Sequence, residues 1–141
     1  MSREPARKRT RRGGPGVRSI QWLLAAVFFG LGGWCVVWPA SVMALAIRPE
    51  FRSDAPIALI AVGCFGAQAM IAGTFAAFSR FTRATFLAYG VALIPFFGFD
   101  AWFYFVRPML TPIGLLDAAG NFAMLGLCVL GWRAAGEEPA H

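Results

Sequence analysis

Hydrophobic positions along the chain gather into four long runs, Ser19 to Trp38, Ala55 to Phe78, Ala84 to Val106 and Pro112 to Trp132, divided by short polar or proline-bearing stretches. Each run is close to the roughly 20 residues that a helix needs to cross about 30 Å of hydrocarbon. The runs are continuous, whereas membrane barrel strands alternate in polarity over about ten residues. In lipid every backbone polar group must be bonded within its segment, so the runs are expected to be helices. The pattern therefore predicts an all-α fold: an integral membrane four-helix bundle with antiparallel spans at about 19–38, 55–78, 84–106 and 112–132. Pro95 lacks the N–H that would reach Val91, which predicts a kink in the third helix.

Composition strengthens this reading. Of 141 residues, 58% are hydrophobic and 14% charged, against about half and a quarter in ordinary soluble domains. Thirteen residues are basic. Seven precede the first span, Arg80 and Arg83 lie in the second loop, and Arg133 follows the last span; Arg48, Arg52 and Arg107 lie on the other side. Basic residues favour cytoplasmic loops, so both termini are expected in the cytoplasm of a bacterial inner membrane, with the first and third loops outside. Trp22 and Trp132 would mark one interface, and Trp34, Trp38, Trp102 and Tyr104 the other.

The tail, residues 1–18, is basic, rich in Gly and Pro, and expected to be disordered. Its natural partner is anionic lipid, at about 1 kcal/mol per basic residue near the surface. Nucleic acid is disfavoured, because no aromatics are interleaved to stack bases. Ala44-Leu45-Ala46 matches the small-x-small pattern of a signal cleavage site, but the preceding apolar run exceeds the usual 7–15 residues and is flanked by Trp. The first helix is therefore expected to be retained. Residues 133–141 form a short second tail.

Candidate chemistry is concentrated in the hairpin between the third and fourth spans. Asp100 and Asp117 lie at equal distances from a point between Pro108 and Met109, within the short RPMLTP connection, so a tight antiparallel hairpin brings them to one depth. Thr111 and Pro112 offer an N-cap and first-turn proline, placing the start of the fourth helix near Pro112. Asn121 shares a face with Asp117, and Met124 and Cys128 continue that stripe. Arg107, two turns beyond Asp100, is placed to pair with either acid. Intramembrane acids usually face a bundle interior or cavity, and a close pair would share a proton. A satisfied polar clasp and a proton or cation site are both consistent with this pattern.

Gln68, near the middle of the second span, is expected to bond to another helix or line a cavity. Ala69, Gly73 and Ala77 form a small-residue stripe on the same span. The aromatics from Phe96 to Phe105 suit lipid packing, with a hydrophobic-ligand box as the alternative. The first outer loop, residues 39–56, is expected to be solvated or to form a lid over the acids. Cys35, Cys64 and Cys128 show no paired spacing and are expected to be small buried residues. No catalytic set, cofactor motif or metal-ligand cluster is visible; His141 is the sole histidine.

Over Ile20 to Trp132, in length, span count and the polar residues of the last hairpin, the layout resembles the small four-helix bacterial membrane proteins grouped around DoxX. That resemblance implies an inner-membrane protein that serves as an accessory subunit. The leading expectation is a structural or accessory subunit that assembles with itself or a membrane partner through its helices. A small proton- or cation-coupled transport component using Asp100 and Asp117 is the alternative, followed by a redox-accessory protein or enzyme.

Overall fold

The computed structural model describes residues 16–137 and is helical almost throughout. Apart from Gly16, Val17 and Arg18, the basic tail lies outside the described residues, as does the end of the second tail with His141. Helix α1 spans Val17–Val37, α2 Pro39–Ala46, α3 Pro56–Phe78, α4 Arg83–Ala92, α5 Ile94–Ala101 and α6 Leu115–Glu137. A 3-10 turn covers Pro49–Phe51, and a π-helical turn, Trp102–Val106, completes α5. Taking Arg83–Val106 as one span, four helices are long and apolar enough to cross a membrane.

Helix α1 packs along α3, and α6 lies against both α1 and α4. The α1–α3 contact is close because the buried face of α3 is Gly66, Gly73, Ala76 and Ala77. A Cβ on Gly66 would stand 2.5 Å from the Gly32 carbonyl oxygen, and one on Gly32 would stand 2.8 Å from that of Gly66. Small residues of this kind let helix backbones approach without a hydrophobic driving force. The expected stripe is thus joined by Gly32 on α1 and by Gly66. On α6 the buried residues are Asn121, Met124, Cys128 and Gly131, one helical face. Phe86 of α4 fills the hollow at Gly131.

The third span is interrupted at Leu93, two residues before Pro95. The Leu93 N–H still reaches Tyr89 O and Gly90 O at 3.2 and 3.3 Å. Pro95, at the start of α5, has no N–H to continue the ladder, so a new helix begins there. Gln21 is buried and donates to Ala76 O and Ser79 O at 3.2 and 2.7 Å, satisfying carbonyls at the end of α3.

Residues 47–55 fold back on the last hairpin. Ile47 and Leu110 form an antiparallel bridge. Arg48 N–H donates to Met109 O at 2.8 Å, and Thr111 N–H to Ala46 O at 2.9 Å. The Thr111 hydroxyl donates to Leu45 O at 2.5 Å and accepts from Gly114 N–H at 3.2 Å. It therefore ties the lid while capping the turn 112–114, and α6 proper begins at Leu115 rather than at Pro112. Asp117 consequently lies in the first turn of α6, where the helix dipole favours a carboxylate.

Candidate functional site

Three of the five residues singled out in the sequence come together. The Asn121 side-chain nitrogen donates to Asp100 Oδ2 at 3.1 Å and to Asp117 Oδ2 at 3.4 Å. An amide carries two N–H donors, so one buried side chain holds both acids. Asn121 is only 3% exposed; the carboxylates above it are partly buried.

Arg107 does not join them. It is exposed, and its side chain forms no ion pair among the described residues. The cause is the π-helical turn, in which the Arg107 N–H bonds back five residues to Trp102 O at 2.8 Å. The added residue in that turn carries Arg107 off the face it would share with Asp100 in an unbroken α-helix. Gln68 does not join them either: it is exposed on the side of α3 away from α1, with no hydrogen bond among the described groups. Cys64 stands on that side too and is exposed rather than buried.

The acids line a cavity of about 590 Å³, within the range typical of small-molecule sites. Trp34 and Cys35 of α1, Phe99 and Phe103 of the third span, and Ala46 and Ile47 of the lid share its wall. The Trp34 N–H donates to Ser41 Oγ at 3.2 Å, tying α2 over the opening. Of the third-span aromatics, Phe96, Phe99 and Phe103 line the cavity, Phe96 and Phe99 with an exposed side as well, while Trp102 and Phe105 are exposed and lie outside it. Beneath the acids, a void of about 30 Å³ touches Asp117 and Asn121, enough for a water molecule. Beyond it the stripe continues through Met124 and Cys128 into the apolar core with Leu24 and Leu93. Among the described residues, no group of three His, Cys, Asp or Glu is placed to hold a metal ion.

Of the two expectations for the first outer loop, the lid is the one that Ala46 and Ile47 match, whereas sequence reasoning missed Trp34 as part of this wall. Trp34 reads as an interface anchor, whereas its N–H bonds Ser41 of α2 and its ring lines the cavity. Gln21 was missed as well, although a glutamine beside Ile20, Leu24 and Ala25 on the core face of α1 is a usable signal.

The class defined by these helices is a multi-pass α-helical membrane protein. Comparison with protein-family models, with curated proteins and with solved structures found no match.

Proposed function

We propose that this is a bacterial inner-membrane protein, with antiparallel spans and cytoplasmic termini, that binds a cationic or protonated ligand at Asp100 and Asp117 in the outer leaflet as a component of a transport process. One observation carries this reading: two carboxylates, bonded to one amide and paired with no arginine among the described residues, face a cavity of about 590 Å³. A purely structural clasp has no need of such a space. The apolar interior beyond Asn121 favours a binding site opening to one side over a continuous proton path. The excess of basic residues in the tails and second loop supports the orientation.

A hydrophobic carbodiimide tests the reading. In native membranes it should modify Asp100 or Asp117, located by mass spectrometry, and the paired Asn variant should lose that adduct. Failure to label either acid in folded protein would reject an accessible site.

A second reading, the accessory subunit assembling through its helices, is favoured by Gln68. In a bilayer its free amide is costly without a partner, and another helix can supply one.

A further inference from the structure

We propose that the cavity over Asp100 and Asp117 takes an amphiphilic organic monocation, an amine or ammonium head on an apolar body, that arrives sideways from the lipid. This rests on the reading of the cavity as a binding site and adds the ligand class. Charge comes first. Two ionisable acids face the space, no ion pair balances them among the described residues, and Arg48 of the lid directs its Nε–H to Leu110 O at 3.0 Å. Two adjacent acids in an apolar wall call for positive charge, which one cationic head placed between them supplies.

The walls decide what kind of cation. A bare metal ion would exchange its hydration shell for two carboxylates and apolar surface, too few oxygen ligands for a hard cation. An alkylammonium brings its own apolar surface, and Trp34, Phe99 and Phe103 put aromatic rings, which attract such heads, in the wall. A neutral lipid would leave the acids without a counter-charge.

The route follows from how the second and third spans meet. Helix α3 does not pack along α4 or α5. The gap is bridged by the rings of Phe65 and Phe96, with centroids 6.4 Å apart, and by the Tyr89 hydroxyl donating to Ala72 O at 3.2 Å. Phe99, on the cavity wall, is nevertheless 60% exposed. The lid closes the end of the cavity, while its flank opens between these spans toward the hydrocarbon.

The test uses the full chain in nanodiscs, with empty nanodiscs to subtract partitioning, and compares decyltrimethylammonium with decanol and decanoate. The cation should bind about tenfold or more tightly than the alcohol, and decanoate least. Asp100→Asn with Asp117→Asn should erase that preference in protein whose thermal unfolding shows it folded, and Val62→Trp, filling the cavity, should abolish binding of cation and alcohol alike. Equal binding of cation and alcohol, both lost in Val62→Trp, would overturn the ligand class while leaving the cavity as a binding site. Binding indifferent to Val62→Trp would overturn both. If the paired Asn variant does not fold, Phe99→Leu decides: a severalfold narrower preference for the cation supports the proposal, and an unchanged preference overturns it.

Discussion

Asn121 is the residue on which the site turns, because two acids depend on its one amide. Asn121→Ala removes both bonds and leaves the carboxylates to repel each other without a shared donor. Leaving a buried polar group unsatisfied costs about 1–3 kcal/mol, more when it is charged, so the variant should unfold at lower temperature in detergent. An unchanged midpoint would mean that the amide is not what holds the acids. Asp100, Asp117 and Asn121 were legible in the sequence because the signals are local: polar residues in an apolar run, a four-residue spacing and a short hairpin. Arg107 and Gln68 lie apart from that cluster. The position of Arg107 depends on a π-helical turn that its aromatic neighbours do not announce. The outward position of Gln68 depends on which side of α3 the glycines turn toward α1, a choice made by packing between distant segments.

At the scale of the element, glycines set how closely the helices approach. Gly66→Ala would press a methyl against the Gly32 carbonyl and the Cys35 Cβ, two groups that can yield only if α1 and α3 separate. Such overpacking costs about 1–3 kcal/mol. At Gly33 an added Cβ meets nothing within 4 Å, so Gly33→Ala should be neutral or slightly stabilising through helix propensity. Thermal unfolding of the two variants side by side checks the contact; equal midpoints would contradict the crossing. The four spans were legible to within about three residues at most ends, since length and hydropathy are properties of a segment taken alone. The start of α6 moved from Pro112 to Leu115 because Thr111 caps a turn and fastens the lid rather than opening the helix. The interruption at Leu93 was legible in kind from Pro95 and differs only by two residues in place.

For the whole molecule, the proposed orientation predicts that reporters fused to either end are active in the cytoplasm, and that a reporter inserted at Ser53 is active outside. Reporters showing the ends on opposite sides would reject it. The free side of α3 carries Gln68 between Cys64 and Thr74, with the Thr74 hydroxyl already donating to Met70 O at 2.9 Å. Two copies facing each other through Gln68 would satisfy both amides symmetrically. Gln68→Leu should therefore lower crosslinking between copies in membranes by severalfold without altering monomer stability, whereas unchanged crosslinking would assign the oligomer, if any, to another face.

Two of the bonds that fasten the roof of the cavity join peptide groups alone: Arg48 N–H to Met109 O, and Thr111 N–H to Ala46 O. Peptide groups are common to nearly every amino acid, so the fastening asks little of side-chain identity at Ile47 or Leu110. A lineage could therefore exchange the residues lining the ceiling, and with them the ligands admitted, while the clasp itself endures. Proline is the exception: at position 48 or 111 it would remove a donor and unlatch that corner.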